Sequence, residues 1–191
     1  MTADSDSDSA TDSATDLVRS VLLDGFQRVE DGVGAVLEGL TVEDLRWRPG
    51  PAANPVGWLL WHLSRQQDAQ LAAIAGEEEV WSAGGWAERF DLPYAADAHG
   101  YGQDPEQVGR VTLGDPGLLS GYAAAVHDLT RRLVQGLAAE DYARVIDEDW
   151  DPPVTVAVRV YSVLEDAAKH LGQAEYLTGL LARRHVVDGA T

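Results

Sequence analysis

The chain contains no cysteine. Disulfides, thiolate nucleophiles and cysteine-type zinc sites are therefore excluded. Any metal must be held by nitrogen and oxygen, and any thiol chemistry must use a thiol brought from outside. Positive charge is scarce as well: 14 Lys and Arg, with Lys169 the single lysine, stand against 32 Asp and Glu, giving a net charge of −18. A chain this acidic lacks the basic patches that bind a phosphate backbone, which argues against nucleic acid as a partner. No apolar run is long enough to span a bilayer, so no membrane partner is expected. The first residues, MTADSDSDSATDSATD, lack the basic start and apolar core of a signal peptide. A cytoplasmic protein is expected.

What is present suffices for one domain: 191 residues, 45% of them apolar, can bury a core. Residues 1–15, acidic and rich in Ser and Thr, read as a disordered solvating tail, and residues 184–191 as a C-terminal tail. Between them, residues 16–183 carry four helical patterns. The first runs on Leu22, Phe26, Val29, Val33, Val36 and Leu40, in steps of three and four. The second opens at Asn54 as cap and Pro55 as first helical residue, continues on Val56, Leu60, Leu63, Leu71 and Ile74, and stops before Gly76. The third starts at Asp115-Pro116 and runs on Leu118, Tyr122, Val126, Leu129 and Leu133. The fourth, about residues 155–183, places Val156, Val160, Val163, Ala167, His170, Ala174, Leu177 and Leu181 in one seam. No strand signal competes, since the Val-rich run 154–160 leads into that seam. The expected fold is all-α, a four-helix bundle with a long crossover between the second and third helices. That crossover, residues 77–114, is rich in aromatics and glycine and reads as a lid or packing flap, with a short capped helix at Asp104-Pro105.

A histidine inside an apolar seam is costly unless something inside binds it, and the fourth helix has one in His170 with Asp166 a turn before it. On the helical wheel Asp166 lies at the edge of the seam, with Gln173 on the same flank, while Glu165 points to solvent. On the second helix His62 sits at the border of the stripe, beside Leu59 and Gln66. Two histidines and a carboxylate can hold a divalent ion and leave positions open, as a catalytic site requires. His62, Asp166 and His170 are therefore the candidate ligands, with Gln66 and Gln173 candidates for orienting them or touching substrate. A buried His–Asp hydrogen bond would explain the pair on the fourth helix equally well. His127 falls off its stripe and reads as exposed; His99, in the crossover, and His185, in the tail, read as poor fixed ligands. Arg65 and Asp68 read as a surface ion pair, Trp58 and Trp61 as packing, and the acidic loop around Trp150 as solvated charge.

At these residues the chain resembles the DinB/YfiT-like superfamily of metal-dependent bundles, in particular the actinobacterial branch that includes mycothiol-dependent enzymes such as maleylpyruvate isomerase. The matching segments are residues 54–65 with Asp68, 85–93 with Gly100-Tyr101-Gly102, 150–155, and 166–177. The resemblance implies a metal bound by His62 and by two residues a turn apart on the fourth helix. Many members carry histidine at the first of those two positions and the mycothiol-dependent isomerase glutamate; Asp166 stands there in this chain. It also implies homodimers and, for some members, work on a small-molecule thiol. The leading expectation is a divalent-metal-dependent enzyme in which an external thiol such as mycothiol is activated for S-transfer or isomerisation. Zinc is foremost, with nickel, manganese or iron as alternatives. A metal-water hydrolase, an iron oxygenase and a non-enzymatic metal-binding bundle are the competing readings.

Overall fold

Capping chemistry sets several of the helix ends in the computed structural model, which describes residues 3–188. Helix α1 covers Ala3–Leu37 and α2 Val42–Arg46, the latter opened by a Thr41–Asp44 capping box. Helix α3, Val56–Ala75, ends at Gly76, whose φ of 69° suits only a residue without Cβ strain. Three short helices follow in the crossover: α4 (Val80–Ala83), α5 (Trp86–Phe90) and α6 (Pro105–Gly109). The start of α6 is as expected, with the Asp104 side chain accepting from the Glu106 and Gln107 amides. Helix α7, Pro116–Gly136, is capped by Asp115 through the Gly117 amide, also as expected. Helix α8 (Ala139–Ala143), strands β1 (Val145–Asp147) and β2 (Val154–Thr155), and helix α9 (Val156–Asp188) complete the described chain.

The long helices α1, α3, α7 and α9 pack as a ring, with α3 against α7 and α9 and α1 against the same two. Their seams meet inside: Phe26, Val33, Leu60, Leu63, Tyr122, Val126, Val160, Ala167 and Ala174 are all buried. The fold is all-α, as the helical spacing implies. Glycine makes one close approach workable. A Cβ on Gly57 would lie 2.2 Å from the Leu113 side chain and 3.0 Å from the Leu45 carbonyl, so the crossover's end and α2 both press on α3 there.

Several local expectations are corrected. Helix enters both segments that composition assigns to tails, because α1 begins at Ala3 and α9 reaches Asp188. Helix α3 begins one residue later than its cap motif suggests. Pro55 keeps an extended ψ of 159° and takes the cap position itself, its carbonyl accepting from the Leu59 amide. A two-stranded antiparallel hairpin, Val145–Asp147 with Val154–Thr155, stands where no strand was expected. Strands this short are below the length at which alternation can be read.

The largest correction concerns Arg65 and Asp68. They are 1% and 0% exposed, with Arg65 Nη1 and Asp68 Oδ2 3.6 Å apart. Asp68 accepts from the Val80 amide at 2.9 Å, the Trp81 amide at 2.8 Å and the Tyr122 hydroxyl at 2.7 Å. Arg65 donates to the Ala98 carbonyl at 3.1 Å and to Glu79 at 2.8 Å, and its guanidinium lies over the Trp81 ring. Burial pushes the Asp68 carboxyl up, while its hydrogen bonds to Tyr122, Trp81 and Val80 and the charge of Arg65 pull it back. A single-stripe reading of α3 fails because the crossover covers its other flank, leaving 14 of its 20 residues buried. Removing Asp68 takes one of two anions from the buried Arg65, which keeps Glu79, and leaves the Trp81 amide and the Tyr122 hydroxyl without their buried acceptor. Asp68→Ala is expected to lower the unfolding free energy by about 3–5 kcal/mol, measured by urea titration; a loss within the scatter of surface substitutions would contradict this account.

Candidate metal centre

Helix α3 supplies His62 and α9 supplies Asp166 and His170, and the packing of α3 on α9 brings the three together. One donor atom from each can be chosen so that all lie within 4.8 Å of one another. The two imidazoles stand edge to face, with ring centroids 4.8 Å apart. His62 is buried; His170 and Asp166 are half-buried at the floor of a cleft of about 820 Å³.

Each imidazole has one nitrogen occupied and the other left for a ligand. His62 Nδ1 lies 2.5 Å from the His99 carbonyl. A carbonyl only accepts, so this nitrogen donates and Nε2 keeps its lone pair, the arrangement that a metal-binding imidazole needs. Trp58 stacks on the other side of the ring at 4.5 Å, nearly parallel, and is itself tied to Gln103 by its indole N–H. Burial lowers the His62 pKa to about 4, aided by the neighbouring His170 and opposed by the bond to His99, so the ring is neutral at physiological pH. On α9, His170 Nδ1 is 3.1 Å from Gln173 Oε1, and its Nε2 faces Asp166 Oδ1 at 3.6 Å.

That last distance bears on the alternative of a plain His–Asp hydrogen bond. At 3.6 Å the two atoms are beyond hydrogen-bond contact, so neither is used up by the other. Donors around a tetrahedral first-row divalent ion stand about 3.3 Å apart. The three donors therefore reach such an ion after about 1.5 Å of closure or less, within side-chain freedom. Two nitrogens and one oxygen suit zinc, nickel, manganese or iron, and three protein donors leave room for a ligand from solution.

The other sequence candidates fall as follows. Gln173 touches His170. Gln66 lines the cleft and accepts from Gln70, away from the donor atoms. Glu165 is exposed, as expected, and pairs with Lys169, but it also lines the cleft instead of facing away from it. His127 is not exposed: its Nδ1 is buried against the α1–α3 core, with no partner among the described residues. His185 lies outside the described side chains. The acidic loop is not simply solvated, since Asp147 pairs with Arg159 at 2.9 Å and Trp150 lines the cleft.

Sequence reasoning missed the contribution of the crossover. His99 acts through its backbone carbonyl, which no side-chain pattern can reveal. Gly100 beside it has a φ of +91°, and a Cβ there would lie 2.6 Å from His62 Nδ1 and 3.0 Å from Trp58. The one readable signal was the Gly100-Tyr101-Gly102 run.

The class these features define is an all-α bundle with an open site of two imidazoles and one carboxylate. The family model of the DinB superfamily matches residues 26–174, and the chain belongs to that superfamily. The matched span includes His62, Asp166 and His170. A crystal structure from Enterococcus faecalis, described as that of the conserved protein of locus, is similar at 31% identity with a TM-score of 0.79, covering 89% of this chain and 96% of that one. No curated protein matches. No helix among the described residues is long and apolar enough to cross a membrane.

Gly100→Ala tests the crossover's role directly. It is expected to displace the His99 carbonyl from His62 and weaken zinc binding about 10–100-fold, read by competition with a chromogenic chelator, while the helical circular dichroism is kept. Unchanged affinity would show that the loop does not orient the ligand.

Proposed function

We propose that the protein is a divalent-metal-dependent enzyme that activates an external low-molecular-weight thiol, with mycothiol the thiol favoured by the resemblance, for S-transfer or isomerisation. The observation that carries the reading is an open His62–Asp166–His170 donor set at the floor of an 820 Å³ cleft in a chain without cysteine. A divalent ion bound there, zinc before nickel, manganese or iron, would supply a Lewis acid that keeps a thiol ionised near neutral pH. His62 and His170 would bind it as neutral imidazoles, and Asp166 would offset part of its charge. The His99 carbonyl holds His62 in the binding tautomer, and Trp58 covers one face of that ring. Gln173 steadies His170 from the solvent side. Gln66, further along the cleft wall, is placed to touch the incoming thiol or its substrate. A homodimer belongs to this reading through the resemblance, with sedimentation as its check.

Metal-water hydrolysis would use the same donors, and the partial exposure of Asp166 and His170 gives water access to them. The two are separated by one experiment. Cobalt-loaded protein titrated with mycothiol is expected to develop a sulfur-to-metal charge-transfer band and to form an adduct with a chlorinated arene. Absence of both with every thiol tried, together with ester or amide hydrolysis, would favour the hydrolase. Ligand variants provide the other check: His62→Ala and His170→Ala are each expected to lose bound metal by elemental analysis, while Asp166→Glu, which keeps the carboxylate, retains it. Full metal content in both histidine variants would remove the site altogether.

A further inference from the structure

Beyond the three donors the cleft continues toward a guanidinium. His62, Gln66 and Gln70 follow one another a turn apart on α3, and Asp166 and Arg159 lie on the facing flank of α9. The two helices run antiparallel here: His62 meets His170 at one end, and Arg159 Nη1 donates to Gln70 Oε1 at 3.4 Å at the other. Arg159 is seven residues from Asp166, about 10 Å along the helix axis. The wall between them carries Trp150, which is 66% exposed on the β1–β2 hairpin.

We propose that Arg159 is a carboxylate-binding subsite, and that the cleft takes an extended organic acid whose acid group sits on Arg159 and whose other end reaches the His62–Asp166–His170 donors. The far end of this arrangement rests on the proposed metal function; the acid end does not. Arg159 is the one permanently cationic side chain among the residues lining the cleft, against the carboxylates of Asp147, Glu165 and Asp166. It is 27% exposed and held in place by Asp147 at 2.9 Å and by Gln70, which orient the guanidinium and leave further N–H groups for a ligand. A planar carboxylate matches that fork. A phosphate dianion is disfavoured, because the ion-paired Asp147 and the rest of the acidic lining repel a second negative charge. An exposed indole at the cleft edge suits the hydrocarbon or ring portion of such an acid.

A bare structural role for Arg159, pinning the hairpin to α9, makes a different prediction, and paired variants separate the two. Zinc-loaded protein is titrated calorimetrically with mercaptopropionate, mercaptohexanoate and mercaptooctanoate and with the matching mercaptoalcohols. The octanoate is expected to bind about tenfold more tightly than its alcohol, and the preference should vanish for mercaptopropionate, which is too short to span. Arg159→Gln should abolish the preference, so that acid and alcohol of each length bind equally. Asp147→Asn breaks the same ion pair but frees the guanidinium, so the preference should rise. Loss of acid binding in both variants, or equal affinity for acid and alcohol in the parent protein, overturns the proposal. Octyl phosphate binding more tightly than octanoate overturns the choice of carboxylate. The metal-free protein supplies the separating arm. If octanoate is preferred over octanol there while no thiol binds the metal, Arg159's role stands and the thiol reading fails. If thiols bind the metal but neither protein form prefers the acid, the thiol reading stands and this proposal fails.

Discussion

The crossover between α3 and α7 is tied down by two charges buried beneath it, and the orientation of His62 depends on where that crossover lies. Asp68 takes the amides of Val80 and Trp81 near its start, and Arg65 takes the carbonyl of Ala98 further on. The next residue, His99, presents its carbonyl to His62. Both charges belong to the same helix as the imidazole, one and two turns further along. The segment that orients the ligand is thus anchored by the ligand's own helix. Because neither charge can be solvated, the cluster holds only when the crossover is in place, and this couples the order of the segment to the geometry of the donors.

Electrostatics explains why such a site fits an acidic protein. The donors and the cleft around them hold three carboxylates and one guanidinium besides the histidines, of which His62 is neutral. Without a cation the region carries excess negative charge; a divalent ion brings it close to neutrality. The arrangement favours a cation at one end, and at the other Arg159 is the cleft's guanidinium, paired with Asp147. In that setting a small, singly charged organic ligand is a more compatible guest than a polyanion.

Much of this architecture could be read from residue spacing. The seams of the long helices, the caps at Asp104 and Asp115, and the stop at Gly76 each depend on local chemistry and lie where the pattern places them. The co-facing of Asp166 and His170 follows from helical rotation alone, and the burial of His170's seam supports it. The errors have a common cause. Arg65 and Asp68 read as surface because one stripe was assumed to be the only buried flank of α3, His127 because its neighbours on α1 lie far away in sequence, and the β1–β2 hairpin because it is too short to show a period.

Helical periodicity and the absence of cysteine, taken alone, determined an all-α chain in which any metal would have to be held by nitrogen and oxygen, and marked His62, Asp166 and His170 as candidate donors. Side-chain rotation about a helix axis is a local property, so those inferences needed no neighbour. Only the tertiary structure decided that α3 and α9 run antiparallel with His62 opposite His170, that a backbone carbonyl selects the tautomer, and that Arg159 closes the far end of the cleft. Those features join residues far apart along the chain, and a contact made through backbone atoms or across two helices leaves no period in the sequence.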